Sequence, residues 1–451
     1  YETWPKNAWQ YIGGANAWGG LALDERRGIV FAPTGSATYD FYGANRHGDN
    51  LFANCLIALD ASSGRRLWHF QFVRHDLWDR DLPTAPTLVQ VRRNGRVIDA
   101  VAQITKSGHV WVFDRATGES LFPWQEISVQ QTDVDGEWTA PKQVLPLKPE
   151  PFARQLFSED LVTRRTPEAH ADVLKRWREY RNGPQFTPPS LQGTILFPGF
   201  DGGGEWGGAS WDPETGLFYV NSNEMAWVIK LVERKNDRRV TGRTLYLRQC
   251  ASCHRDNLAG SPPEFPSLVN LAGRRSAQQV REIVLKGAGR MPGYAHLGAS
   301  GVDAILAYIL QGEEKEVSDA PRAPSPIDLK YRLDGYTRFT DPDGYPAITP
   351  PWGTLNALHL DSGEYAWRIP LGEIPALVKQ GLVNTGSENY GGSVVTAGGL
   401  LFISATNSDA KFRAFDKRTG KLLWEYQMDA AGNATPATYM AVSYTHLTLP
   451  T

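Results

Sequence analysis

Cysteine is scarce here, with three among 451 residues, too few for a disulfide framework to hold a chain of this size. No charge of either sign predominates. The 47 Lys and Arg nearly balance the 49 Asp and Glu, for a net charge of −2. That removes the basic footprint of a nucleic-acid binder and the excess charge of a disordered tail. No run of about 18 apolar residues is present, so no segment spans a membrane as a helix. A start Met and a leader are also missing at Tyr1, and we expect a piece of a longer protein, truncated at its N-terminus. The last ten residues, VSYTHLTLPT, read like a translated sequencing adapter, so 442–451 is expected to be a non-native tail. What the chain has in quantity is Gly (44), Pro (30) and Trp (15), a composition that suits many short strands better than long helices. Its length exceeds one compact core of roughly 250–300 residues, which calls for two domains or a repeat fold carrying an extra module.

Repeats supply the organisation. ALDASSGRRLW from Ala58 to Trp68 and AFDKRTGKLLW from Ala414 to Trp424 place Ala, Asp, Gly and Trp at the same offsets. ALHLDSGEYAW, from Ala357 to Trp367, keeps all but the Asp, which becomes His359. Partial copies without the Trp begin at Ala22, Val112 and Ser210. Each reads as a strand ending at the Asp, a tight turn needing Gly at positive φ, and a returning strand. Graded copies over some 400 residues point to an array of four-stranded sheets, with each Trp packed on the neighbouring sheet. The pattern resembles the docking motif of the quinoprotein β-propellers. That resemblance implies a mainly β fold, an eight-bladed propeller of which this chain holds most of the blades.

From Val232 to Glu316 the strand signature yields to helical periodicity. Ser276 with Gln279 predicts a capping box, Val280, Ile283 and Val284 share a face, and Gly287 ends the helix. A second helix is expected with Ser300 and Asp303 as its cap and Val302, Ile305, Leu306, Ile309 and Leu310 as its stripe. Within this all-α module, inserted between two blades, CASCH carries Cys250, Cys253 and His254. Two thiols three apart can each add across a vinyl group of haem while the adjoining His ligates the iron, a c-type attachment site for one covalent haem c. A zinc knuckle would need two more nearby ligands, whereas Cys55 lies in a distant hairpin and His296 is the module's one further His. Met291, the module's single Met, sits in a Gly/Pro loop as the candidate sixth iron ligand. The stretch resembles class I cytochrome c, with Tyr246 ahead of the first Cys and Pro266 where that family packs a proline loop on the His. The resulting boundaries are 1–233 and 317–441 for the propeller, 234–316 for the inserted cytochrome c domain and 442–451 for the tail. Covalent haem attachment takes place outside the cytoplasm, so a bacterial periplasmic location is expected, membrane-associated if a missing N-terminal region anchors it.

Candidate chemistry on the propeller lies in RHDLWDRDLPTAP, Arg74 to Pro86. In an extended chain His75, Leu77, Asp79 and Asp81 would share one face and Asp76, Trp78 and Arg80 the other. A carboxylate kept from Arg beside a redox cofactor can serve as general base toward a hydroxyl; the bland alternative is a solvated, Arg-paired loop. HDLWDRD followed by TKSGHVWVFDRATG resembles the membrane-type quinoprotein glucose dehydrogenases and their alcohol dehydrogenase relatives, which use pyrroloquinoline quinone (PQQ). The resemblance implies that Asp79 is the catalytic base and that Lys106 hydrogen-bonds the quinone oxygens. It also places Trp18 on the quinone rings, Glu205 and Trp206 near the cofactor and Asn389 on the pocket side. A flat quinone with three carboxylates suits an indole floor, a cation and Gly-rich backbone for close approach.

The implied function is oxidation of a sugar or alcohol hydroxyl, with electrons passed from reduced PQQ to the haem and on to an external cytochrome or quinone acceptor. A Ca²⁺ or Mg²⁺ ion belongs to the family pattern, but PTGSATYD offers only Ser36 or Thr38 where relatives place an Asn ligand. Two other readings are a non-enzymatic propeller scaffold, a class that lacks the W-D base and the K-S-G pair, and a haem-type reductase with a fused cytochrome, whose propeller does not use the A-x-D-x-x-T-G-x-x-x-W repeat.

Overall fold

The computed structural model describes residues 2–234, 240–260, 262, 265–317, 329–441 and 444–448. It is mainly β and divides into two compact units. One comprises Tyr1–Pro189, Thr194–Trp227 and Phe339–Thr451; the other comprises Ser190–Gly193 and Val228–Arg338.

In the larger unit, antiparallel sheets follow one another along the chain. The first contains Ala22–Asp24, Ile29–Pro33, Cys55–Asp60 and Arg66–Gln71. The second contains Thr87–Arg93, Arg96–Ile104 and Val110–Asp114. The third contains Ala209–Asp212, Leu217–Asn223, Gly353–His359 and Glu364–Pro370. The fourth contains Ser393–Val395, Leu400–Ile403, Lys411–Asp416 and Leu422–Gln427. Leu217–Asn223 shows why such strands read as continuous apolar runs. Side chains alternate across a strand, and here both faces are covered: Phe218 and Val220 join the core shared with the second sheet, while Leu217 and Tyr219 join the core shared with the fourth.

The repeated turns dock one sheet on the next. Trp68 lies on the Gly118 turn, where an added Cβ would meet its ring at 2.6 Å, and its indole N–H donates to Arg115 O at 2.9 Å. Trp367 sits likewise on the Gly420 turn, with 2.8 Å to the same hypothetical Cβ and its indole donating to Lys417 O at 3.3 Å. Between them the copy from Val112 is complete after all. Phe122 occupies its Trp position and packs on the Gly363 turn, 2.8 Å from an added Cβ. The copies from Ala22 and Ser210 differ in kind, joining the first and second strands of their sheets. Their glycines, Gly28 and Gly216, meet nothing within 4 Å.

The expectation of a module inserted between blades is corrected by strand pairing. Leu217–Asn223 pairs directly with Gly353–His359, so the long excursion leaves and re-enters one sheet between its second and third strands. A ladder tolerates this because the two strand ends lie side by side and any length of chain can join them. An unanticipated helix, α1 (Pro167–Glu179), is capped by Thr166, whose side chain accepts from Ala169 N. Of the last ten residues, Tyr444–Thr448 pairs with Ala437–Ala441; 442, 443 and 449–451 lie outside the described residues.

The smaller unit is helical: α2 (Gly242–Gln249), α3 (Ala251–His254), α4 (Ala277–Lys286) and α5 (Gly298–Gln311). The Ser276/Gln279 capping box and the Gly287 C-cap of α4 form as the sequence predicts. For α5 the expected Ser300 cap does not form; the helix begins at Gly298 with no side-chain cap. Ser300 therefore lies inside the first turn. Its apolar stripe nonetheless joins Tyr246, Val280 and Val284 in one core.

Candidate active site and haem pocket

Lys106 sits in the turn between Arg96–Ile104 and Val110–Asp114, held by Gly108 N to Thr105 O at 2.9 Å and Thr105 N to His109 O at 3.1 Å. Gly108 has φ +82°, a conformation that needs a glycine. The Lys106 ammonium donates to Asp79 Oδ2 at 2.9 Å and to Asp81 Oδ2 at 3.3 Å, and lies 5.8 Å from the centre of the Trp18 ring. Asp81 also accepts from the Trp18 indole at 3.2 Å and from Ser36 N.

The segment carrying these acids is coiled, not extended. Asp76 gathers the chain around itself, accepting from Trp78 N at 2.9 Å and Arg80 N at 2.6 Å, while His75 and Asp79 adopt positive φ. The expected alternation of faces therefore fails, yet Asp79 and Asp81 still converge on one cation. His75 leaves the group and pairs with Glu137 at 3.0 Å. Trp78 is buried, donating to Thr187 O at 2.7 Å, which seats the FTPPS segment behind the acids. Arg80 turns away to Pro198 O at 2.7 Å and Gly199 O at 3.1 Å, so it does not neutralise Asp79.

Electrostatics sort these carboxyls. Burial raises Asp79 well above the usual carboxylate range, with Asp81 and Asp40 adding to the rise and Lys106 opposing it. Asp81 is lowered: burial would raise it, but Lys106 and the Ser36 hydrogen bonds win. Asp40 is pushed up to about 6 by burial and by the Asp81 charge. Lys106 stays charged, because its two acid partners more than offset burial. A high-affinity proton acceptor beside a fixed cation is the arrangement a hydroxyl-deprotonating base needs.

Glu205 is 5% exposed and its Oε1 has no hydrogen-bond partner. Trp206 is 40% exposed and stacks on Tyr390 at 5.1 Å and 8°; Tyr390 in turn donates to Asp201 Oδ2 at 3.0 Å. Gly19, beside Trp18, closes on Pro83, with an added Cβ 2.5 Å from Pro83 O, and Gly208, two residues after Trp206, closes on Thr84, with an added Cβ 2.7 Å from Thr84 Oγ1. The glycines thus let the loops approach one another: Gly202 lies against Lys106, and Gly207 lies on Gly391 and Gly392.

Two expected residues go elsewhere. Asn389 is fully buried; its Nδ2 donates to Ser222 O at 2.9 Å and Ser387 O at 3.0 Å, and its Oδ1 accepts from Asn221 at 2.6 Å. With its amide engaged by protein atoms it ties its own loop to the Leu217–Asn223 strand, and its neighbour Tyr390 takes the position beside Trp206. Thr38 uses its Oγ1 to accept from Gly13 N at 3.0 Å, whereas Ser36 reaches Asp76 and Asp81. Among the described residues no group of three or more His, Cys, Asp or Glu is arranged to hold a metal ion, so no step is assigned to Ca²⁺ or Mg²⁺. The sequence marks Asp81 only as sharing a face with Asp79, and carries no distinct signal for Asp40 or Tyr390.

In the helical unit Cys250, Cys253, His254 and Met291 line one cavity of about 520 Å³. His254 Nδ1 donates to Pro266 O at 2.9 Å, which leaves Nε2 to face an iron, and burial lowers its pKa so that the ring is a neutral ligand. Neither Cys250 nor Cys253 is in a disulfide. Arg274, Arg275 and Arg290 add cations to an otherwise apolar lining with Val280, Val284 and Ile305. A flat apolar macrocycle with two carboxylates fits this donor set. Cys55 is buried and its thiol pushed up by burial, an inert core residue.

Comparison with known proteins finds a family for each part of the chain. A family described as glucose/ethanol/alcohol dehydrogenase, beta-propeller domain, matches residues 1–257 and 277–445; one described as cytochrome C oxidase, cbb3-type, subunit III, matches 238–309. The quinoprotein glucose dehydrogenase of Escherichia coli (strain K12) is 29% identical over 94% of this chain and 45% of its own length. A glycerol dehydrogenase large subunit from Gluconobacter thailandicus is 27% identical over 97% of this chain and 52% of its own. The chain therefore spans about half the length of the curated relatives it matches. Among solved structures, a europium-containing methanol dehydrogenase shares the fold with TM-score 0.54 at 17% identity, covering 99% of this chain and 52% of that one. The quinohemoprotein alcohol dehydrogenase from Comamonas testosteroni does so with TM-score 0.52 at 15% identity, covering 97% and 44%. On the strength of a match running through all four docked sheets, the chain belongs to the β-propeller family of the PQQ-dependent glucose, ethanol and alcohol dehydrogenases.

Proposed function

We propose that the protein carrying this chain oxidises a hydroxyl group of a sugar or alcohol, using PQQ, and delivers the electrons through a covalent haem c to an external cytochrome or quinone. The observation that carries this reading is the Asp79–Lys106–Asp81 cluster beside the Trp18 indole, together with Cys250, Cys253, His254 and Met291 around one cavity. PQQ fits the first site by its chemistry: Trp18 offers an indole face, Lys106 a cation, and Glu205 a buried polar atom that no protein group satisfies. Bound PQQ would supply a two-electron acceptor, and a haem held at Cys250 and Cys253 would supply a one-electron carrier.

The residues then divide the work. Asp79, raised by burial, takes the hydroxyl proton on its carboxyl as the C–H bond is broken. Lys106 fixes the orientation of Asp79 and presents positive charge where negative charge develops. Asp81 holds Lys106 and Trp18 in place. Trp206, stacked on Tyr390, offers a second indole face next to Glu205. In the helical unit Cys250 and Cys253 would hold a haem through thioethers, and His254, aimed by Pro266 O, and Met291 would supply ligands to its iron.

The finer architecture belongs to the same proposal. The domain limits are 1–233 and 317–441 for the propeller and 234–316 for the cytochrome. Eight blades are supported by four sheets docked in series here, in a chain half as long as its relatives. A periplasmic site follows from covalent haem attachment; among the described residues no helix is long and apolar enough to cross a membrane. The test is a substrate screen with an artificial acceptor on the complete protein reconstituted with PQQ and Ca²⁺. Asp79→Asn should keep the cofactor and lose turnover on the order of 10²-fold or more; unchanged turnover removes the assignment.

A further inference from the structure

His75 stands four residues before Asp79, in a contact the mechanism does not use. Its side chain and that of Glu137, which it meets, are 0% and 2% exposed. Nδ1 lies 3.0 Å from Gly48 O, and Nε2 lies 3.0 Å from Glu137 Oε1. A carbonyl oxygen only accepts, so Nδ1 carries a hydrogen. Glu137 is itself surrounded by donors, its Oε1 accepting from Trp138 N at 2.7 Å and its Oε2 from Gly43 N. Both contacts of the ring are therefore satisfied only when the pair holds two protons, either both on the imidazole or one on the imidazole and one on Glu137. With a single proton, one ring nitrogen turns a lone pair to an oxygen, and a buried contact left unmade in this way is costly.

This contact ties together three segments of the chain. A Cβ added to Gly43 would stand 2.9 Å from Arg46 Cζ and 3.0 Å from His75 Nε2, so glycine is needed for the three to meet. Arg46, fully buried, donates to Tyr39 O at 2.8 Å, Asn50 Oδ1 at 2.7 Å and Asp76 O at 2.5 Å. Asp76 in turn gathers Trp78 N and Arg80 N into the coil from which Asp79 meets Lys106. The charges facing the imidazole are Glu137 and Arg46; the His47 and Trp138 rings approach it edge-on at 6.3 and 5.0 Å. Burial, opposed by Glu137 and seconded by Arg46, holds the ring below the ordinary histidine value, so the second proton is weakly held and leaves as pH rises.

We propose that His75 and Glu137 are positioning residues for Asp79: joined by a shared proton, they anchor the chain just ahead of Asp76 and so fix the coil that presents Asp79 to Lys106. This rests on the reading of Asp79 as the base and deepens it. Neither residue takes the hydroxyl proton; both act through Arg46 and Asp76. Loss of the shared proton costs the ring one of its two anchors, and turnover falls on the high-pH side.

The experiment follows kcat, KM and amide hydrogen exchange across pH in the complete protein reconstituted with PQQ. His75→Asn keeps a donor for Gly48 O and tolerates the positive φ of position 75, but is too short to reach Glu137. Its kcat should fall roughly tenfold or more with KM little changed, and the amides of 76–81 should exchange faster. In Glu137→Gln the side-chain N–H meets Nε2 of a neutral ring whose Nδ1 keeps its hydrogen, so both contacts survive at every pH. The high-pH fall of kcat seen in wild type should then vanish. A His75→Asn protein with wild-type kcat overturns the proposal, as does a high-pH fall that Glu137→Gln shares at the same pH or that wild type lacks. If His75→Asn fails to fold by circular dichroism, the comparison of wild type with Glu137→Gln decides alone. Should the folded wild type oxidise no sugar or alcohol, the proposed function itself fails. Exchange then decides the anchor, and unchanged exchange of 76–81 in His75→Asn overturns it.

Discussion

At the scale of single residues, two aspartates two positions apart are driven to opposite protonation preferences by their surroundings. Asp81 has the Ser36 amide, the Trp18 indole and Lys106 to stabilise its charge; Asp79 has Lys106 alone against burial and two like charges. A base works only when deprotonated, so turnover should fall as pH drops through the raised Asp79 value. Asp81→Asn removes a like charge and lets Asp79 ionise more readily, so the acid limb of kcat/KM should move to lower pH. A limb that stays in place or moves upward would show that Asp79 does not set it. The haem pocket permits an independent reading: Met291→Ala should abolish the thioether-to-iron charge-transfer band in the visible spectrum, and a persisting band would assign the sixth ligand elsewhere.

At the scale of elements, stability is organised by the turn that ends each third strand. A Trp or Phe from one sheet covers the glycine of the next, burying a large ring against backbone that a side chain would displace. Gly64 and Gly420 separate the two demands made on that glycine. Both have φ +70°, but only Gly420 has a ring above it, that of Trp367; at Gly64 an added Cβ meets nothing within 4 Å. Each change to Ala pays the left-handed backbone penalty, roughly 1 kcal/mol. Gly420→Ala should cost about 1–3 kcal/mol more, from overpacking against the indole. Urea midpoints of the two variants measure the difference; equal losses would mean the docking contributes nothing. On the helices the same local logic applies unevenly. Capping boxes mark the starts of α2 and α4, while α5 begins without one and depends on its buried stripe of Val302, Ile305 and Ile309.

At the scale of the whole molecule, the Asp79–Lys106–Asp81 cluster and a cavity lined by Cys250, Cys253 and His254 are carried by one chain. In chain order the helical unit falls in the segment that connects two neighbouring strands of a single sheet, and the ladder from Leu217 to Asn223 is unbroken. If the haem is the exit for electrons, replacing Cys250 and Cys253 together by Ala should leave substrate-dependent reduction of PQQ intact. Reduction of an external cytochrome should then fall to background in stopped-flow traces. Full delivery of electrons without the haem would assign the cytochrome another purpose.

Some of this was legible in the linear sequence because it depends on local spacing alone. Asp, Gly and Trp at fixed offsets specify a strand, a left-handed turn and a returning strand whatever surrounds them, and Cys250, Cys253 and His254 form one helical turn and so must share a face. The capping box at Ser276 is local in the same way. What escaped depends on contacts between distant segments. Phe122 could be recognised as a docking ring only once its partner, the Gly363 turn, was beside it. Asp76 collapses the expected strand into a coil because Ser36 and Asn54 meet it from another part of the chain. Among Glu388, Asn389 and Tyr390 no periodicity says which side chain faces the site, since irregular loops have none. Residue types and local spacing thus determined the turns, the Cys250–Cys253–His254 motif and the acids available, whereas the tertiary structure alone decided which carboxyl is raised and which lowered, because burial and neighbouring charge exist only once the loops are assembled.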